Sequence, residues 1–200
     1  AVDAGAHAVE RYLEMPHALG VGVLPPSEVR FPLPAGRLPA GWPGGPPPIV
    51  VHPWSRGQGK SLTQEQLQGL CEKLAPHPVV VVGRSPTESA PKLPHVSDLA
   101  NQTSLSELIA LMREAAWCIS VDSGPMHIAA AVNPRTLGIH TWTDPRKVGP
   151  YNPQCWIWKA GRIDHRTGFS GSECVVDRPV DAAAIEAMAA FVRERLREKH

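Results

Sequence analysis

Apolar residues fall along this chain in two textures. Short unbroken runs, "IVVH" (49–52), "VVVV" (79–82), "CISV" (118–121) and "TLGIHT" (136–141), predict strands covered on both faces. A half-exposed strand would alternate apolar with polar positions instead. Between the runs, apolar positions recur at helical spacing. "TQEQLQGLCEKL" (63–74) sets Leu67, Leu70, Cys71 and Leu74 on one face, with Thr63 and Gln66 spaced as a capping box. "SLSELIALMREAA" (104–116) opens on Ser104 with Glu107 three residues on, and "PMHIAAAV" (125–132) is a third helix. "CVVD" (174–177) reads as a further strand. From Asp181 a tail helix carries Ile185, Met188, Ala189, Val192 and Leu196 on one face. Such alternation predicts an α/β fold, a Rossmann-like parallel sheet with helices on both faces. Ligands of such sheets bind at the carboxyl ends of the strands, beside the helix N-termini.

The first quarter of the chain breaks this rhythm. "AHAVERYLEMPHALG" (6–20) reads as the tail of a helix already under way. Nine prolines then fall between Pro25 and Pro48. Proline fixes φ and lacks a donor, so this stretch predicts an extended connector. Four segments follow: 1–24, the end of a preceding domain; 25–48, the connector; 49–180, the Rossmann-like domain; and 181–200, the amphipathic tail helix.

Composition narrows the partners. A net charge of +1 gives no bulk attraction to nucleic acid or to an anionic membrane surface. The four cysteines show no C-x-x-C spacing, and Cys71 and Cys118 sit in apolar runs, which fits buried thiols in a reducing cytoplasm. No apolar stretch approaches the roughly 20 residues of a membrane span.

The chemistry concentrates at "CISVDSGPMHIAAAVN" (118–133), where a buried strand meets a buried helix. The N-terminus of that helix would present unpaired N–H groups and a partial positive charge to an anion. Gly124 would let a phosphate approach the backbone. Pro125 suits the first turn. Ser123 would cap the helix or meet a phosphate oxygen, and His127 would add a donor. Asp122 repels a phosphate, so it takes a hydroxyl, a lysine or the backbone of the turn. The competing reading of this seam is a plain capped helix with local turn bonds. A second loop, "WSRGQGKS" (54–61), nearly matches the phosphate loop G-x-x-x-x-G-K-[ST]. Trp54 stands where the first glycine belongs, and that glycine wraps the donors around the phosphates, which argues against a nucleoside triphosphatase.

Together these segments resemble glycosyltransferase family 9, the ADP-heptose–lipopolysaccharide heptosyltransferase group. "ISVDSGPMHIAAAVNP" resembles its D-[ST]-G-x-x-H-[LI]-x-A-A signature, and "HPWSRGQGKSLTQEQLQGL" its strand–loop–lysine–helix segment. "VVVVGRSPTES" and "LANQTSLSELIALMREAAWCIS" resemble the two segments between, and "WTDPRKVGPYNP" carries the likeness to about residue 153. Asn101 stands where a glycine is common, and residues 154–175 follow no family pattern.

The resemblance implies the C-terminal, donor-binding half of a GT-B enzyme. Its substrates would be an ADP-sugar, heptose-like by family habit, and a lipopolysaccharide-type saccharide or glycolipid acceptor. Asp122, Ser123, Gly124 and His127 would form the diphosphate and sugar site. Lys60 would neutralise the leaving diphosphate with no metal or other cofactor, and Ser55 would lie in the same loop. Glu88 would bond sugar or ribose hydroxyls and Thr103 would border the adenine. The base that deprotonates the acceptor is expected outside this chain, as is the acceptor domain. A cytoplasmic placement, peripheral at the inner face of the inner membrane, follows from such an acceptor. A binding-only or regulatory relative of the same fold is the alternative. The apolar stripes of the tail helix and of the first helix are expected to be left partly exposed.

Overall fold

The computed structural model describes residues 5–22, 25 and 28–198. It contains helices α1 (Ala8–Ala18), α2 (Gln64–Leu74), α3 (Leu105–Glu114), α4 (Gly124–Val132), α5 (Pro145–Val148) and α6 (Ala182–Arg197). Its strands are β1 (Ile49–His52), β2 (Val79–Val81), β3 (Val96–Asp98), β4 (Trp117–Val121), β5 (Thr136–His140), β6 (Trp156–Lys159) and β7 (Arg162–His165). They form one seven-stranded sheet in the order β3-β2-β1-β4-β5-β6-β7. All pairings are parallel except the last, where β7 runs antiparallel to β6. From β1 the chain proceeds outward on one side through β2 and β3, then returns to lay β4 on the other side of β1. The C-terminal ends of β1 and β4 therefore flank the switch point, where a crevice opens.

The unbroken apolar runs do what their texture requires. Ile49 and Val51 of β1, Val79 and Val81 of β2, and Trp117, Ile119 and Val121 of β4 enter one core with the apolar faces of α2 and α6. Val50, Val80 and Cys118 point the other way, into a second core with Leu108, Leu111 and Met112 of α3 and Ala129 of α4. Alternate side chains of each strand thus feed opposite layers. Both predicted capping boxes are present: Thr63 with Gln66 opens α2, and Ser104 with Glu107 opens α3. All four cysteines are free and buried.

Three features depart from the sequence reading. The "CVVD" segment is not a strand. Gly171–Val175 winds into a 3-10 turn, opened by the reciprocal bonds of Ser170 and Glu173, and leaves Val175 and Val176 exposed. The strands unread in the sequence are the short, half-buried β3 and the hairpin β6–β7. That hairpin turns at Ala160 and Gly161, both with positive φ (54° and 86°), the two-residue geometry that matches strand twist. Finally, the stripe of α6 is not exposed: Ala184, Ile185, Met188, Ala189 and Val192 are buried against the sheet and α2. Leu196, the last residue of that stripe, is half-buried, and α1 keeps apolar surface, with Tyr12, Met15 and the following Leu19 exposed.

From residue 31 to 48 the proline-rich stretch forms no helix or strand and runs along α3. Arg113 donates to the carbonyls of Leu33 and Pro34, and Trp42 packs on the second core.

Candidate functional site

Because β1 to β6 run parallel, the loops that leave their carboxyl ends share one edge of the sheet. Ser55 and Lys60 follow β1, Glu88 follows β2, Thr103 follows β3, and Asp122 to His127 follow β4. The loop after β1 is folded by its own polar side chains. Ser61 Oγ accepts from the Ser55 amide at 2.8 Å and donates to the Ser55 carbonyl at 3.2 Å. Ser55 Oγ crosses the crevice to donate to the Asp122 carbonyl at 3.2 Å. Lys60 crosses it as well: its Nζ lies 2.7 Å from Asp122 Oδ2 and 4.9 Å from the ring centre of Trp142. Trp142 Nε1 donates to the Gln58 carbonyl at 3.0 Å, and Thr141 Oγ1 donates to the Gly59 carbonyl at 2.9 Å. The lysine is therefore held between an acid after β4 and an indole after β5.

Behind this pair lie two buried histidines, each the last residue of its strand. His52 Nδ1 is 3.3 Å from both Ser120 Oγ and Ser123 Oγ. Both hydroxyls also lie within donating distance of the Val121 carbonyl, at 3.0 Å. Burial pushes His52 down to about 4. His140 Nδ1 pairs with Thr143 Oγ1 at 2.9 Å, and burial likewise lowers it to about 4. Burial acts to raise the Asp122 carboxyl, but His140, the bonds from Lys60 and Thr143, and the Lys60 charge outweigh it, so the net shift is downward. With His140 neutral at neutral pH, Lys60 is the cation that keeps Asp122 ionised there.

Ser123 does not cap its helix. Its hydroxyl is drawn back toward Val121 and His52, so no side chain caps α4. A Cβ added at Gly124 would meet nothing within 4 Å, so the first turn of α4 opens on free space. His127 stands exposed one turn on. Desolvation by the surrounding protein lowers its pKa, Asp122 opposes that shift, and Lys60 adds to it. The arrangement is an uncapped helix N-terminus facing a lysine, with an ionised aspartate beside both. It offers backbone donors and one cation to an anion, and a carboxylate to hydroxyls.

Glu88 and Thr103 stand apart from this cluster. The Glu88 amide donates to Ser85 Oγ at 3.0 Å, and its half-buried carboxylate makes no hydrogen bond or ion pair among the described residues. Asn101, the residue in place of a glycine, adopts a φ of 61°. Asparagine tolerates that left-handed region. Its amide pins the loop before Glu88 through two bonds to Ser85. Among residues not singled out in the sequence, His52, His140 and Thr141 border this cluster, and the 46% exposed Trp142 lies against Lys60. The available signal was a polar residue ending each buried run, "IVVH" and "LGIHT".

The model of glycosyltransferase family 9 (heptosyltransferase) matches residues 1–170, which include α1 and the proline-rich stretch. The chain belongs to this family. Among curated relatives, lipopolysaccharide core heptosyltransferase OpsX of Haemophilus influenzae is 34% identical over 56 residues, 28% of this chain and 16% of OpsX. Escherichia coli heptosyltransferase WaaC, solved with ADP, superposes with a TM-score of 0.61 at 17% identity, covering 100% of this chain and 58% of WaaC. The family 9 glycosyl transferase of Veillonella parvula gives 0.66 at 16% identity, covering 100% of this chain and 63% of that protein. The chain thus spans less than two thirds of the length of each of these proteins. The likeness to the solved structures bears on the fold, and agrees with the Rossmann-like half of a GT-B architecture. Among the described residues no group of three or more His, Cys, Asp or Glu is placed to hold a metal ion, and no helix is long and apolar enough to cross a membrane.

Proposed function

We propose that this chain is the donor-binding part of an inverting glycosyltransferase that takes an ADP-sugar, heptose-like, and passes the sugar to a lipopolysaccharide-type acceptor. The observation that carries the reading is the Lys60–Asp122 pair at the switch point, set before the uncapped α4. The diphosphate lies against the first turn of α4 near Gly124, where backbone N–H groups and the helix dipole favour it. Lys60 leaves Asp122 or shares itself with the diphosphate and neutralises the charge that develops as ADP departs, with no metal required. Asp122, so released, accepts from sugar hydroxyls, and Ser123 and His127 border the same space. Glu88 and Thr103, at the ends of β2 and β3, take the ribose and adenine side of the donor.

In the transfer itself, the acceptor hydroxyl loses its proton to a base as it attacks the anomeric carbon and ADP leaves. Asp122 is committed to Lys60 and the donor, so we assign that base, and the acceptor site, to the portion of the relatives that this chain does not span. The protein acts at the inner face of the membrane that carries its acceptor. The reading is tested by calorimetry of this chain with ADP, with and without magnesium. Binding without magnesium is expected. Lys60→Ala should weaken it by roughly 1.5–3 kcal/mol, as for the loss of a charge-assisted contact. Binding that needs magnesium, together with ATP hydrolysis lost in Lys60→Ala, would move the function to the phosphate-loop class.

A further inference from the structure

One charged group deep in the protein has no part in the scheme above. Lys159, the last residue of β6, is fully buried, at 0% exposure. Its ammonium donates to the carbonyls of Thr141 at 2.6 Å and Val176 at 2.7 Å. Among the described residues no carboxylate lies within ion-pair distance of it. Burial lowers its pKa, while Asp177, Asp144 and Cys174 act to raise it.

A lysine in this position is costly to bury, and a methionine would fill the same space without that penalty. What the amine adds is a link between three segments distant in sequence. Through Val176 it holds the stretch that follows the 3-10 turn. Through Thr141 it holds the first residue after β5. That residue's own hydroxyl is bonded to the Gly59 carbonyl, next to Lys60, and its neighbour Trp142 lies beneath the Lys60 ammonium. Lys159 also faces His140 across the β5–β6 pairing, and its charge helps keep that imidazole neutral against Thr143.

We propose that Lys159 is a positioning residue for the donor site: it fixes the Thr141–Asp144 loop from behind, and so sets the Trp142 and Gly59 wall against which Lys60 is held. This rests on the donor-site reading above for its functional consequence, but the positional claim stands on its own. Lys159→Met keeps the unbranched apolar stem, one atom shorter, and removes the donor. Hydrogen–deuterium exchange read by mass spectrometry should show faster exchange over residues 141–148 in this variant, with α2 and β4 unchanged. In calorimetry, ADP affinity should fall about tenfold, the size expected for a displaced polar wall rather than a lost ligand contact. Adding Thr141→Val should cost little more, because both changes release the same loop.

The Lys60→Ala variant separates the two proposals. If wild-type chain binds ADP and Lys60→Ala weakens it, while Lys159→Met leaves both affinity and exchange at 141–148 unchanged, Lys159 is structural filler and the inference is overturned. If ADP fails to bind wild-type chain, the donor reading fails, and the exchange result alone decides whether Lys159 holds the loop. If exchange quickens everywhere, the lysine supports the whole fold rather than the loop, and the inference is again overturned.

Discussion

Two strand-to-helix seams face each other across the switch point, and they are built in opposite ways. After β1, eleven residues separate His52 from the first residue of α2, and Thr63 and Gln66 cap that helix reciprocally. The serines at 55 and 61 close the loop on itself. After β4, Asp122 and Ser123 are all that stand before α4, and no side chain caps it. The first seam ends in "GKS" and nearly matches a phosphate loop, but Trp54 stands where the first glycine of that loop belongs. The fold favours the second. In a phosphate loop the lysine leads straight into the helix whose amides hold the phosphate. Here Lys60 precedes a helix that a capping box closes, and it reaches across to Asp122, beside the helix that no side chain caps. A lysine's position in sequence says less about the anion it serves than the helix its ammonium points toward.

The largest effect should come from closing the open seam. Gly124→Val adds a side chain whose Cβ would meet nothing within 4 Å, so the fold should tolerate it. ADP affinity should fall on the order of 1,000-fold, ~4 kcal/mol, because the side chain occupies the space of the diphosphate. Calorimetry beside a circular-dichroism melt would separate loss of binding from loss of fold. Unchanged affinity would move the anion to the other seam.

A second test concerns what lies beneath both seams. His52 and His140 are held far below the ordinary histidine pKa of 6.5. Their stabilising contribution is therefore complete above about pH 6.5 and is lost as pH falls toward 4. Each ring accounts for a loss on the order of 3 kcal/mol across that window. Urea titrations at a series of pH values should show the decline, and His52→Asn should remove about half of it. An equally steep decline in that variant would mean that His52 titrates normally.

The smallest effect should come from the closed seam. Thr63→Ala removes one half of the α2 capping box and should cost about 1 kcal/mol of stability. ADP affinity should not change, as measured by calorimetry. A matching loss of affinity would show that the α2 terminus takes part in binding after all.

Much of this architecture was legible from local pattern. The four unbroken runs marked β1, β2, β4 and β5, and the Thr63–Gln66 and Ser104–Glu107 pairs marked the starts of α2 and α3. Those signals are carried by neighbouring residues, so no tertiary knowledge is needed to read them. Strand β3 was missed because its three residues, none of them buried, lie at a sheet edge and have no apolar run to announce them. The β6–β7 hairpin was missed because its turn uses Ala160 at positive φ, where a glycine or asparagine pair is the usual mark. In the site, Asp122 was expected to meet a hydroxyl, a lysine or the turn. Which of these it meets depended on a crossing of 62 residues that only the sheet order supplies. His52 and Lys159 went unread for the same reason: each acts on a segment that is near only in the folded chain. The exposed stripe expected of α6 failed because α2 and the sheet lie within reach of it on the same domain.

The central claim, that a nucleotide diphosphate binds at the open α4 terminus with Lys60 and not at α2, is tested most directly by amide chemical shifts during titration of the ¹⁵N-labelled chain with ADP. The largest changes should fall on Gly124, Met126 and His127, without magnesium, while Gln64, Glu65 and Gln66 hardly move. Large shifts at Gly57 to Gln66 with the α4 amides unmoved would contradict the account.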